Sequence, residues 1–179
     1  LRDKFIKNHD SNIKLIDSSF ILNKYGRELV SRNKFFKNKN CNKISVLTDE
    51  NGTPFSVLVN KGTVHDSKFF EHHFNDIKHA FEKKTNNRPF YLLADKAYES
   101  KKIRNKLITC DYDLIVAPKK NLKIIYYFDK VIYKKRIHVE HTFQRLKAFK
   151  RIQIRYDQSI NSYYNFVYLA SAFLIFNKL

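Results

Sequence analysis

Five apolar residues in a row, Phe90 to Ala94 (FYLLA), run without alternation and stop at Asp95. A strand with one wet face would alternate, so this run reads as a central strand covered on both faces. Such a strand needs layers above and below its sheet, which makes the chain α/β. Leu114 to Ala117, ended by Pro118, reads as a second buried strand. Lys43 to Thr48 and Pro54 to Asn60 are β-branched-rich runs around Asp49-Glu50-Asn51-Gly52, a hairpin signal. Ile13 to Ile21 (IKLIDSSFI) is an apolar run interrupted by Asp17.

Between these strands lie helical patterns. Asp66 to Lys84 carries apolar positions at Phe69, Phe70, Phe74, Ile77 and Phe81, and Arg88-Pro89 stops it. Tyr98 to Ile108 and Ser159 to Lys178 read as two more helices. Residues 23–43 read as a basic connecting segment, and Lys119 to Lys130 as a basic, aromatic loop or poor hairpin. The order β-β-β-α-β-α-β-α-α predicts a mixed sheet, an antiparallel hairpin plus parallel strands, flanked by helices. No repeat or boundary divides residues 1–179, so one domain is expected.

Charge narrows the partners. The 35 Lys and Arg against 17 Asp and Glu give +18, which fits a polyanion, nucleic acid before an anionic membrane. A membrane binder would carry its basic residues on an amphipathic helix, whereas here they are spread through the α/β pattern. The apolar stretch Tyr163 to Phe176 contains Asn165 and Ser171 and is too short to span a bilayer. Cys41 and Cys110 are too few for a disulfide framework or a zinc site. His72–His73 reads as a polar patch on a helix, and His138 and His141 lack further ligands at metal spacing. A reducing compartment fits: cytoplasmic and nucleoid-associated in a bacterium, with nuclear or viral settings open. The chain begins at Leu1 and contains no Met, so an upstream segment is expected.

Tyr133 to Lys150 (YKKRIHVEHTFQRLKAFK) has no Pro or Gly and reads mostly as helix. At about 100° per residue Arg136, Glu140 and Lys147 share one stripe, with Tyr133 at its edge. Val139, Phe143 and Leu146 form an apolar strip beside it. A solvated charged face with an ordinary Arg–Glu pair would look the same. Two further acids bear on the choice, Asp17 within the first strand and Asp95 at the end of the fourth. An acid in a buried strand is costly unless paired or metal-bound, and open α/β sheets place sites beyond their strands' carboxyl ends. Neighbouring strands would set Asp17 and Asp95 side by side around Mg²⁺ or Mn²⁺, with Glu140 completing a cage for two ions. The structural alternative is a strand-end cap at Asp17 and a helix N-cap at Asp95.

Tyr133-x2-Arg136-x3-Glu140-x6-Lys147 resembles the helix motif of the DDE insertion-sequence transposases. Asp95-Lys96-Ala97-Tyr98 looks like their second-acid motif, and Asp17-Ser18-Ser19 is similar to their first. Arg145 to Ile152, followed by Arg155-Tyr156-Asp157, resembles the insertion-sequence-five group more narrowly. The likeness runs from about Ile13 to Phe176. It implies a ribonuclease H-like catalytic domain that cuts and joins transposon ends in double-stranded DNA, with Asp17, Asp95 and Glu140 as catalytic and metal-binding acids. Tyr133, Arg136 and Lys147 would contact or position DNA, and Lys150, Arg151 and Arg155 would extend a basic track over phosphates. Assembly as a homo-oligomer on DNA is implied as well.

The chain departs from that pattern in two places. Lys37-Asn38-Lys39-Asn40-Cys41-Asn42 stands where many members carry a Gly-rich turn. Members also usually have an N-terminal DNA-recognition region, and this sequence starts just before the first acid, like the second of two overlapping frames. Two rival functions remain: a domesticated or decayed copy that only binds DNA, and a ribonuclease H-like nuclease without strand transfer. Altered motif positions would favour the first, and none is altered. The second needs the acids but not the Tyr–Arg–Lys accompaniment.

Overall fold

The computed structural model describes residues 12–82, 89–118 and 128–177. Lys83, Lys84, the expected breaker Arg88 and residues 119–127 of the expected basic loop lie outside these residues, as does the Phe81 side chain.

The sheet is built on β1 (Ile13–Asn23), which pairs antiparallel with β3 (Lys39–Asp49) and parallel with β5 (Phe90–Ala94). β4 (Pro54–Lys61) pairs antiparallel with β3, and β6 (Tyr112–Val116) parallel with β5. Both β1 and β4 pair with residues 42–48 of β3, so they lie on its opposite edges. The resulting order, β4-β3-β1-β5-β6, is the expected mixed sheet: an antiparallel meander continued by two parallel strands.

Side-chain alternation explains why helices cover both faces. Leu15, Ile21, Leu93 and Ile115 point into one core, while Ile16, Leu92, Ala94, Leu114 and Val116 point into the other. The second core is closed by α1 (Asp66–Glu82) through Phe70 and Ile77, and by α2 (Lys101–Ile108) through Ile103 and Leu107. The first is closed by α4 (Ile137–Ala148), α5 (Lys150–Gln153) and α6 (Ile160–Phe176), which contribute Val139, Phe143, Leu146, Ile152, Tyr163 and Val167.

Residues 23–43 are not a plain connection. They contain β2 (Ser31–Asn33), a 3₁₀ turn over Lys34–Phe36, and the first residues of β3, which pairs with β2 from Ser31↔Cys41 to Asn33↔Lys39. Propensity misses this because Lys and Asn are weak strand formers. The expected continuous helix from Tyr133 to Lys150 is also divided. α3 (Lys130–Lys134) gives way to a tight turn at Lys135 and Arg136 before α4, and Phe149 separates α4 from α5. Three-residue hydrogen bonds carry the first junction: Lys135 N–H to Ile132 O, Arg136 N–H to Tyr133 O and His138 N–H to Lys135 O, each 3.0 Å. That turn is wound more tightly than an α-helix, so Tyr133 does not hold the stripe position that a uniform wheel assigns it.

His73, read from sequence as half of a polar patch, is fully buried. Its Nδ1 lies 2.8 Å from the Ser56 hydroxyl and its Nε2 3.0 Å from that of Ser45. Burial pushes its pKa down to about 3. Between that value and the ordinary one near 6.5 the unfolded chain binds a proton that the folded chain does not. Stability from this group therefore falls as pH drops from about 6.5 toward 3, at up to about 1.4 kcal/mol per pH unit. Urea unfolding between these limits should show a shallower acid loss for His73→Gln than for the natural protein, and equal slopes would contradict this assignment.

Candidate active site

The parallel register of β1 and β5 ends at Leu15↔Leu93, and continued two residues it sets Asp17 opposite Asp95. Both acids share side-chain parity with Leu15 and Leu93, which face the core closed by α4. They therefore emerge on the same side, Asp17 from the middle of β1 and Asp95 directly after the carboxyl end of β5. Asp17 stands within β1, opposite Val46 of β3, and is not a strand-end cap. Asp95 occupies the N-cap position of a 3₁₀ turn over Lys96–Tyr98, but its side chain makes no capping hydrogen bond. The structural alternatives thus fail at both positions.

The rest of each motif holds these acids in place. Asp17 Oδ1 accepts from the Ser18 amide at 2.8 Å, and the Ser18 hydroxyl turns to the opposite face and donates to Asp66. Tyr98 is buried beneath the Asp95 turn in the α1–α2 core. Directly after it, Glu99 accepts from Arg104 Nε at 2.9 Å and Nη2 at 2.6 Å, while Arg104 Nη1 donates to Leu114 O at 2.9 Å. That forked ion pair ties the Asp95 turn to α2 and β6.

The third acid comes from α4. Arg136 stands at its N-terminus and spans the gap to the sheet: Nη1 donates to Asp17 Oδ2 at 3.1 Å and Nη2 to Glu140 Oε1 at 2.7 Å. One guanidinium thus bridges the first and third acids. Burial pushes the Asp17 carboxyl above its ordinary value, Arg136 and the Ser18 amide pull it down, and the charge of Asp95 pushes it up again. Among the described residues, no three His, Cys, Asp or Glu side chains converge as a metal-ligand group. Glu140 is exposed and turned to Arg136.

Lys147, two turns along α4 from Glu140, reaches β1 and donates to the Ser19 hydroxyl at 2.6 Å. Burial pushes its pKa below the ordinary lysine value. Tyr133 is half-buried, its ring 5.2 Å from that of Phe128, and burial raises its phenol while Arg136 opposes the rise. Arg136, Glu140 and Lys147 do share the face toward the acids.

What seats α4 at this height was not legible in advance. The β3–β4 turn packs against it: Gly52 adopts φ 75, and an added Cβ would lie 2.5 Å from His138 O and 2.8 Å from Thr142 Oγ1. Thr142 Oγ1 donates to Gly52 O at 2.5 Å, and Lys135 pairs with Glu50. The hairpin was recognisable from its turn residues, but its docking partner was not.

Residues 16–174 match the family described as DDE superfamily endonuclease. The chain belongs to that family. No curated protein sequence matches it. Among solved structures it is similar to the catalytic domain of Mos1 mariner transposase, with TM-score 0.51 and 11% identity over 97% of this chain and 84% of that one. It is also similar to piggyBac transposase in a synaptic complex with hairpin DNA, with TM-score 0.60 and 9% identity over 98% of this chain and 50% of that one. The Mos1 mariner paired-end complex with Mn gives TM-score 0.50 and 12% identity over 98% of this chain and 59% of that one. The chain therefore spans about half the length of the piggyBac protein and three-fifths of that Mos1 chain. The shared fold is the ribonuclease H-like one of transposase catalytic domains. No helix among the described residues is long and apolar enough to cross a membrane.

Within this endonuclease fold the three residues of the expected basic track have different fates. Lys150 is exposed. Arg151 is exposed too, pairs with Asp157 and lies 4.9 Å from the Phe166 ring. Arg155 departs from expectation. It is fully buried, and its guanidinium donates to Glu28 O at 2.8 Å, Asp157 O at 3.0 Å, Gln158 O at 3.0 Å and Asn42 Oδ1 at 3.3 Å. It clamps loops around β7 (Ile154–Arg155) and cannot reach a phosphate from there. Nothing in the sequence separates it from its exposed neighbours, because charge alone does not report burial. Arg155→Ala should cost about 3 kcal/mol of stability by stranding those acceptors, visible as a lowered Tm. Lys150→Ala should leave Tm unchanged, and similar Tm values for both variants would refute the clamp.

Proposed function

We propose that this chain is the catalytic domain of a transposase of the insertion-sequence-five group, which cleaves and rejoins phosphodiesters at transposon ends. The observation that supports this reading most is the β1–β5 register, which continued two residues brings Asp17 beside Asp95, with Arg136 joining Asp17 to Glu140 across the gap to α4. The four helix positions and both upstream acids occur in the order that the family resemblance requires. The charge of +18 suits a DNA partner.

The donor set fits a divalent cation. Asp17 is half-buried, its carboxyl is raised by burial and by the neighbouring acid, and all three candidate ligands are hard carboxylate oxygens. We assign Asp17, Asp95 and Glu140 as the residues that hold Mg²⁺ or Mn²⁺, in a pair. Such ions supply Lewis-acid stabilisation of both the attacking and leaving oxygens of an in-line displacement. Arg136 neutralises excess negative charge among the acids and fixes the direction of Asp17. Lys147 places a cation beside the same strand, where a scissile phosphate would approach the acids. Tyr133 lies at the α3–α4 junction, next to Arg136, and is assigned to positioning the strand. Lys150 and Arg151 give the DNA further positive charge away from the acids. In this reading the unit is a single catalytic domain that works as a homo-oligomer on DNA.

Two variants test the roles separately. Asp95→Asn should abolish Mg²⁺- or Mn²⁺-dependent nicking of a labelled transposon-end duplex, with Tm and nonspecific DNA affinity nearly unchanged. Retained nicking would remove Asp95 from the machinery. Lys147→Ala should weaken DNA binding more than metal affinity, each measured by titration. Equal loss of both would make Lys147 a support for Glu140 only.

A further inference from the structure

The hairpin from Ser31 to Asn40 carries Arg32, Lys34, Lys37 and Lys39, all exposed, and no acid. At its tip Phe35 is 92% exposed, above every other large apolar residue described. An isolated exposed phenylalanine on a floppy loop would mean little. This tip is braced. The Asn33 side chain accepts from the Phe35 amide at 2.8 Å and donates to Gly62 O at 2.7 Å. Asn38 N–H donates to Asn33 O at 2.9 Å, and Thr63 N–H to the Ser31 hydroxyl at 3.0 Å. Lys37 and Asn38 take positive φ, 52 and 55, to close the turn. Phe36 turns inward and stacks on Phe20 of β1, with ring centres 5.4 Å apart. Of two adjacent phenylalanines, one anchors the hairpin and the other is held out into solvent.

The position bears on the site. From the Asp17↔Val46 rung of the sheet, the strands run five residues to the rung at which Ser31 meets Cys41. That is roughly 17 Å at a strand's rise, or about half a turn of duplex. Lys147, bonded to Ser19, lies on the way. The hairpin therefore stands at the end toward which β1 runs, beyond Asp17, with Phe36 anchored through Phe20 on the sheet face opposite that of the acids.

We infer that the Ser31–Asn40 hairpin is a second DNA-contacting element, in which the four cations grip phosphates and Phe35 stacks on or wedges between bases. This inference rests on the DNA-cleaving function proposed above. An apolar wedge between cations is how proteins unstack a base step while holding the backbone. The cationic flanks disfavour an apolar protein partner, which would have to desolvate them. A duplex distorted roughly half a turn from the acids would help expose the strand to be cut.

The chain contains no Trp, so Phe35→Trp installs a unique fluorophore at the tip. Its emission should be quenched by a mixed-sequence duplex, and more strongly by one with a single-stranded gap, but not by heparin, which offers charge without bases. Phe35→Ala should lower affinity for the gapped duplex about tenfold, with Tm unchanged. Lys34→Ala with Lys37→Ala should reduce the salt dependence of duplex binding. DNA bound and nicked without any change in Trp emission would overturn the hairpin assignment while leaving the proposed activity intact. Equal quenching by heparin would overturn base stacking. Failure to bind any DNA would overturn both proposals together.

Discussion

Two carboxylates of like charge, Asp17 within β1 and Asp95 just past the end of β5, stand side by side on adjacent parallel strands, and the arrangement of the surrounding chain answers that repulsion. The register of β1 against β5 fixes their proximity, and the buried apolar residues on both sides of those strands fix the register. A slip of one residue would turn either acid into the opposite core. The pair is thus a consequence of packing that the hydrophobic pattern enforces. What remains local is compensation: an arginine from α4, the amide of Ser18, and a partly wet location. Desolvation still outweighs these for Asp17. A carboxylate left in that condition is poised for a further positive charge.

The helix that brings the third acid is held from three directions. Val139, Phe143 and Leu146 pack into the core, Arg136 reaches the sheet, and Gly52 with Thr142 closes the space against the β3–β4 turn. The first contact sets depth, the second rotation, and the third displacement along the helix axis. A backbone carbonyl of α4 lies so close to Gly52 that a methyl group would not fit. The tight three-residue turn before α4 serves the same end, because it sets Arg136 at the helix N-terminus with its guanidinium on the side of Asp17.

The sequence disclosed the parts of this arrangement that obey a period. FYLLA announced a strand covered on both faces, and the acid terminating it was visible as the residue that broke the run. Seven-residue spacing placed Glu140 and Lys147 on one face, and that holds because both fall within uninterrupted α4. Tyr133 lay three residues before Arg136 in what looked like the same helix, and the wheel failed there because no residue type marks a switch from four-residue to three-residue hydrogen bonds. β2 was hidden by its Ser, Arg and Asn content. Arg155 shows the same limit from the other side: a guanidinium among basic neighbours gives no sign that backbone carbonyls of Glu28, Asp157 and Gln158 will converge on it.

The buried Arg155 and the exposed Phe35 invert the usual rule for their residue types, and both inversions are stabilised by dense hydrogen bonding. For Arg155 the bonds fall on the guanidinium itself, so its charge is used up within the protein and serves cohesion. For Phe35 they fall on the backbone and on Asn33, so the ring gains nothing from the protein while the hairpin gains rigidity. An arrangement that orders a tip yet leaves its largest apolar group in water has a cost within the isolated chain. That cost is offset only if something outside the chain covers the ring, and the cations flanking it select a partner with both negative charge and flat apolar faces, which describes nucleic acid better than any protein surface.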